Sequence, residues 1–348
     1  MNTYAPLRKA PAENRRESGQ FLVMFCLLGA VLIGMMALAL DVGMILHERR
    51  QLQNAADAAA LAGAIELPAD ATLANDKAVE WAENNEIDLS DGDQLTVSVD
   101  TIDNTVSVRV ERDVPFLFGR VLGLVSVDVT AEATAKVGAP AALSNLLPLG
   151  VPEDAIDYDG PTVLKYDANN SSNGNFGPLR IDGNGSSVYE NSLTYGTESA
   201  LCAVSQAACE YPFVNTQTGD VIGGTRDGFN YRFDNTSSDC DEFDVVLLPT
   251  GDGETYRING PCNPFSSGSE SLRLVLVPVI DGFCIGSCLV QIQYFAVMFL
   301  EEMGPGGCTG NQCEVTGTFV KAILDPYNDA FIGEYDETSG LNFVRLID

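Results

Sequence analysis

From Phe21 to Leu40 the chain reads FLVMFCLLGAVLIGMMALAL, twenty residues without a charge. As a helix rising about 1.5 Å per residue, this run covers roughly 30 Å, the hydrocarbon thickness of a bilayer. A removable secretory signal has a shorter apolar region with a small-residue cleavage site after it. Here the run passes directly into Asp41 and a long helix-forming stretch, which predicts an anchor that stays in the membrane. Arg8, Lys9, Arg15 and Arg16 precede the segment, and only Arg49 and Arg50 follow it closely. That imbalance predicts a cytoplasmic tail over 1–20, a transmembrane helix over 21–40 and an extracytoplasmic chain after Asp41. The first expected partner is therefore the lipid bilayer, in a single-pass protein of the cell membrane.

Charge separates the anchor from the rest. Residues 1–63 hold six basic and five acidic side chains, whereas the remaining 285 hold 13 basic and 44 acidic ones. So acidic a surface repels a phosphate backbone, and nucleic acid is excluded as a partner. The single histidine, His47, follows the apolar run closely and is far in sequence from every candidate nucleophile, which argues against a Ser-His-Asp or Cys-His device. The sequence has no G-x-S-x-G elbow and no P-loop. With 44 acids beyond the anchor, some pair of carboxylates always lies at a glycosidase-like distance, so such a pair carries no information. No cofactor and no catalytic residue is assigned.

Cys26 lies in the lipid segment; Cys202, Cys209, Cys240, Cys262, Cys284, Cys288, Cys308 and Cys313 all lie beyond it. An even number on the exported side fits disulfides in an oxidising compartment. Close spacing suggests local staples, 202 with 209, 240 with 262, 284 with 288 and 308 with 313, among the 105 pairings that eight cysteines permit. A four-thiolate zinc site from Cys284, Cys288, Cys308 and Cys313 is the rival reading, with spacings looser than the usual C-x2-C knuckles.

Past the bilayer, Asp41 to Leu67 is rich in Ala, Leu, Gln, Glu and Arg with no proline, which extends the helix over 41–66. Leu52, Ala55, Ala56, Ala59 and Ala62 share one face there, a surface that another helix or a sheet could approach closely. Within the membrane Ala30, Gly34 and Ala37 form a small-residue stripe that Asp41 extends at the boundary. Such a stripe permits helix pairing in lipid, including self-association, although Gly and Ala are also common in membrane helices.

Residues 18–64 carry a resemblance. Gly19-Gln20, the apolar run, Asp41-Val42-Gly43 and above all RRQLQNAADAAALAGA from Arg49 to Ala64 resemble the TadG-like N-terminal anchor of Tad (Flp) pilus-assembly proteins. The resemblance implies a bacterial membrane protein working with pilus-assembly components or pilin. Two departures stand beside it. Pilin precursors of this kind are cut after a Gly with Glu five residues beyond the cut, where Met24 follows Gly19 in this chain. The D-x-S-x-S metal motif of a von Willebrand factor A domain is also missing after the anchor, so no such domain is assigned.

Residues 67–138 read as a small α/β unit. A helix over 76–85, alternating strands at Leu95 to Val99 and Val106 to Val110 about an Asp103-Asn104 turn, a helix over 114–124 and a strand at Val125 to Ala131 give an αββαβ order. Gly138-Ala139-Pro140 marks a composition change and a hinge. Over 139–348, apolar runs such as 272–280, 290–300 and 315–324 alternate with Gly-, Asn- and Asp-rich loops, predicting a disulfide-containing, sandwich-like β-rich extracytoplasmic domain. The fold class expected is thus a membrane-anchored α+β protein. The loop from Asp182 to Ser186 places oxygen-bearing side chains at alternate positions, readable as a weak calcium loop or a solvated turn, but lacks the glycine and glutamate of an EF-hand. The functional expectation is a non-enzymatic protein of a Tad/Flp pilus-assembly or secretion system with a structural or interaction ectodomain. A membrane-tethered exported enzyme or carbohydrate-binding protein is the alternative.

Overall fold

One unbroken helix, α1 (Ser18–Ala64), carries the apolar run into the alanine-rich segment behind it. At about 1.5 Å per residue its 47 residues make a rod of roughly 70 Å. Side chains of the apolar run project outward, with Phe21, Leu32 and Leu40 all more than half exposed, and among the described residues this helix is long and apolar enough to cross a membrane. The computed structural model describes residues 18–67, 69–167, 176–204, 206, 209–218, 221–250, 253–265, 271–283, 286–324, 333, 335 and 339–347.

After α1 the chain turns back. Asp70 caps α2 (Ala71–Asn84) by accepting from the amides of Thr72 and Leu73 at 2.8 and 2.9 Å. Three antiparallel strands follow, β1 (Gln94–Asp100), β2 (Thr105–Pro115) and β3 (Ser126–Gly138). The β1–β2 turn uses Asn104 at φ +51°, which asparagine tolerates better than most residues. In place of a second α-helix over 114–124, β2 runs on to Pro115 and one 3-10 turn, Gly119–Leu122, leads to Gly123 at φ +86°. Glycines four residues apart and β-branched Val114, Val121 and Val125 make that stretch a poor helix, while the hairpin supplies ladder bonds. The core beneath is built from small residues. Leu52, Ala55, Ala56, Ala59, Ala60 and Ala64 of α1 pack on Ala74, Ala78 and Ala82 of α2 and on Val106, Val108, Val110, Ala131, Ala133 and Ala135 of the sheet.

Beyond Gly138 come β4 (Ala142–Leu143), β5 (Leu149–Pro152), β6 (Pro161–Asp167), β7 (Gly177–Arg180), α3 (Ser186–Tyr195), β8 (Leu201–Cys202), β9 (Phe213–Thr216), α4 (Ile222–Asn235), α5 (Phe243–Val246), β10 (Leu247–Pro249) and β11 (Thr255–Ile258). The chain then forms β12 (Leu274–Ile280), β13 (Leu289–Thr309), β14 (Gln312–Leu324) and β15 (Leu341–Leu346). The β-rich character expected from the apolar runs is present. Its centre is β12 with the long β13–β14 hairpin, and alternate residues of these strands bury both faces. Val275, Val277, Ala296 and Met298 meet Tyr189 and Leu193 of α3 and Phe229 of α4; Leu274, Leu276, Val297 and Phe299 meet Val246, Leu247 and the Cys240–Cys262 loops. Two helices therefore cover one face; 13 of the described strands join in one hydrogen-bonded network, and β4 and β8 pair with each other apart from it, so the sandwich arrangement expected from the sequence is not what the pairing describes. Within it β15 pairs antiparallel with β3, from Phe343 against Gly138 to Leu346 against Ala135. The C-terminal strand thus closes onto the sheet that holds the anchor.

Candidate functional site

β2 retraces α1 toward the membrane segment. Val106 lies beside Gly63, Arg112 reaches Glu48, and the residues just after β2 reach Asp41. Three consecutive points along both elements fix the strand parallel to the rod, with the β2–β3 loop at its lower end.

Asp41, the first charged residue after the apolar run, is buried. Its carboxylate accepts from the amide of Leu117 at 2.9 Å, of Phe118 at 3.1 and 3.2 Å and of Gly119 at 2.7 Å. The side chain therefore works across the fold as a cap does within a helix, satisfying the free amides that open the 3-10 turn. Burial alone would raise its pKa; the amides of Phe118, Gly119 and Leu117 outweigh burial and hold the carboxyl below the usual range. Expected on a helix-pairing stripe, Asp41 instead engages its own chain.

Higher on the rod, Arg112 joins three elements. Its Nε and Nη2 donate to the Asp93 carboxylate at 2.8 and 2.6 Å, its Nη1 to Glu48 of α1 at 2.9 Å, and Nη2 again to the Glu86 carbonyl at 2.7 Å. The Arg112 guanidinium holds Asp93 below the ordinary carboxylate range despite the opposing effect of burial. Gln53 donates to Asp57 and to the Glu132 carbonyl of β3, and Gln51 to Glu86. Glutamines of the RRQLQNAADAAALAGA string thus bind the small unit at the edges of the alanine face.

That face is occupied within the chain. Leu52, Ala55, Ala56 and Ala59 are fully buried, Ala62 is half-buried, and the stripe continues through Ala60, Gly63 and Ala64. A Cβ on Gly63 would fall 2.7 Å from the Ala74 carbonyl oxygen, so only glycine admits this approach of α2. The membrane stripe is different: Ala30 and Gly34 are exposed, Ala37 is half-buried, and no atom lies within 4 Å of where a Gly34 Cβ would stand.

Between described residues, three disulfides tie the C-terminal part, Cys202–Cys209, Cys240–Cys262 and Cys308–Cys313. Cys308 and Cys313 face each other across the β13–β14 hairpin, so their sulfurs are not available to a four-thiolate zinc site. Cys288 is also disulfide-bonded, Cys284 lies outside the described residues, and Cys26 is a free, exposed thiol. Asp182 of the loop read for calcium accepts from Ser192 Oγ at 2.7 Å and from the amides of Glu198 and Ser199 at 3.1 and 2.8 Å, pinning α3 to the next loop. Burial opposes and these hydrogen bonds override, leaving its carboxyl below the usual range. Among the described residues no three His, Cys, Asp or Glu side chains converge as metal ligands would.

Residues missed by sequence reasoning are Arg112, Asp93, Gly63 and the helix α4. In α4, buried Ile222, Thr225, Phe229 and Arg232 follow helical spacing, a signal masked by Gly223, Gly224 and Gly228. Gly228 is needed there, since a Cβ would meet Leu193 of α3 at 2.7 Å.

Residues 19–66 match the family model Tad, described as "Putative Flp pilus-assembly TadE/G-like". The matched segment is α1 with the turn after it, the element that bears the alanine face, Asp41 and the two glutamines. No curated protein and no solved structure matches the chain.

Proposed function

We propose that this chain is a non-enzymatic, single-pass membrane protein of a Tad/Flp pilus-assembly or secretion system, in which α1 holds a disulfide-tied ectodomain away from the bilayer as a stiff stalk. The observation that carries this reading is the use made of the matched segment. Its alanine face is filled by the chain's own α2 and sheet, so the helix is part of the ectodomain's core and not a flexible tether. From Asp41 to Ala64 the helix rises about 35 Å, and the β12–β14 domain is joined to it at the far end through β3 and β15. Residues 1–20 are cytoplasmic, 21–40 span the bilayer, and the unit over 67–138 and the domain over 139–348 work outside. The charges before Phe21 and the cysteines after it support that orientation. With the outer face occupied internally, the surface left for a pilin, an assembly component or a second copy within the bilayer is the Ala30, Gly34 and Ala37 stripe.

Protease added to intact spheroplasts tests the orientation: the ectodomain should be digested while a tag at the N-terminus stays protected. Protection of the ectodomain would overturn it. Deleting the chain should abolish surface pili, and pili unaffected by the deletion would remove the assembly role.

A further inference from the structure

The loop joining β2 to β3 is apolar at a place where a soluble domain would be polar. Leu117 is 63% exposed, Val121 87%, Leu122 81%, Leu124 51% and Val125 69%, with Phe118 exposed beside them. No acid stands between Val114 and Val127, in a region otherwise dense in Asp and Glu, and one cation, Arg120, sits exposed at the middle. A patch of this kind marks an interaction surface.

Its position identifies the occupant. Asp41 grips the Leu117, Phe118 and Gly119 amides directly after the apolar run of α1 ends at Leu40, so the exposed side chains begin where the outward-facing apolar surface of the helix stops. The Asp41 charge is itself buried among amides, and the exposed carboxylates nearest the apolar loop in sequence, Asp113 and Asp128, pair across β2 and β3 behind it. We infer that the 117–125 loop is a lipid-binding wedge, dipping Val121, Leu122 and Val125 into the outer leaflet beside the transmembrane helix. This rests on the membrane-anchor reading above and adds a second contact to it. Arg120 extends toward lipid phosphates as cations at membrane interfaces do. Two attachment points separated laterally fix the tilt of the stalk, which a lone helix leaves free to vary.

Brominated-lipid quenching in the full-length protein tests it. Trp81 is the single tryptophan; Trp81→Phe gives a silent background for Leu32→Trp in the apolar run, Leu122→Trp in the wedge and Ile102→Trp on the distal β1–β2 turn. Each is reconstituted into vesicles of dibrominated phosphatidylcholine and phosphatidylglycerol and compared with unbrominated vesicles. Leu122→Trp should lose roughly half its emission, as a ring about 5–10 Å into the headgroup and acyl boundary would, and Ile102→Trp almost none. Val121→Trp repeats the measurement one residue away and should behave as Leu122→Trp does. If Leu32→Trp is quenched but Leu122→Trp and Val121→Trp match Ile102→Trp, the wedge is refuted, the anchor stands, and the patch belongs to a protein partner. If Leu32→Trp is not quenched, the anchor reading fails and the wedge with it.

Discussion

Replacing Gly63 by alanine sets two opposed effects against each other in one methyl group. In a helix interior alanine is favoured over glycine by about 1 kcal/mol, and less near a helix end such as this one. Against that, the new Cβ would lie 2.7 Å from the Ala74 carbonyl oxygen, 3.1 Å from Ala78 Cβ and 3.2 Å from Val106 Cγ1. The nearest of these is backbone, so relief requires α2 to shift, and overpacking of this kind costs about 1–3 kcal/mol. The net expectation is a loss of about 1–2 kcal/mol for Gly63→Ala, or a roughly five- to thirtyfold change in the folded to unfolded ratio. Gly43 on the same helix has nothing within 4 Å of its Cβ position, so Gly43→Ala should gain up to about 1 kcal/mol. Urea unfolding of the full-length protein in mild detergent reads both, because Trp81 on α2 reports the docking of that helix by its fluorescence. A Gly63→Ala midpoint raised alongside Gly43→Ala would show helix propensity to dominate and would refute the claim that α1 and α2 meet too closely for a side chain.

Three further outcomes are expected. Arg112→Met should cost about 1.5–3 kcal/mol by leaving Asp93 without its charged donor. Because the Asp93 pKa is depressed in the fold, its contribution is present above the unfolded value near about pH 4 and lost as pH falls through the folded one; urea midpoints at neutral and acid pH should show a smaller drop in Arg112→Met than in the parent. Mass spectrometry without reductant should find four disulfides, with Cys284 joined to Cys288 and Cys26 as the sole thiol, and reduction should lower stability by about 2–4 kcal/mol per bridge. Ala59→Leu, at a fully buried position, should weaken the Trp81 transition by about 1–3 kcal/mol, whereas Gly34→Leu should leave it unchanged and reduce co-purification with membrane partners; equal association for Gly34→Leu and the parent would refute pairing through the stripe.

Local signals in the sequence are those that depend on neighbours along the chain. The charge-free run from Phe21 to Leu40, the helix formers to Ala64, the alternating valines of β2 and the cysteine pairs 202 with 209 and 308 with 313 each report a property of a short window, and each corresponds to an element or bridge described above. The alanine face at Leu52, Ala55, Ala56 and Ala59 was equally legible as a surface made for close approach. Its occupant was not, because helical spacing states which side chains share a face and nothing about what packs on it; the answer needed β2 to run back along α1 with Val106 at Gly63 and Gly119 at Asp41. Asp41 shows the same limit, as a boundary charge in the sequence and a clasp on amides 76 to 78 residues away in the fold. Helix α4 lay hidden because three glycines outweigh its apolar spacing until α3 presses on Gly228. The return of β15 to β3 had no local trace, since strand pairing is decided by partners far apart in sequence whose hydrogen bonds every extended segment can offer.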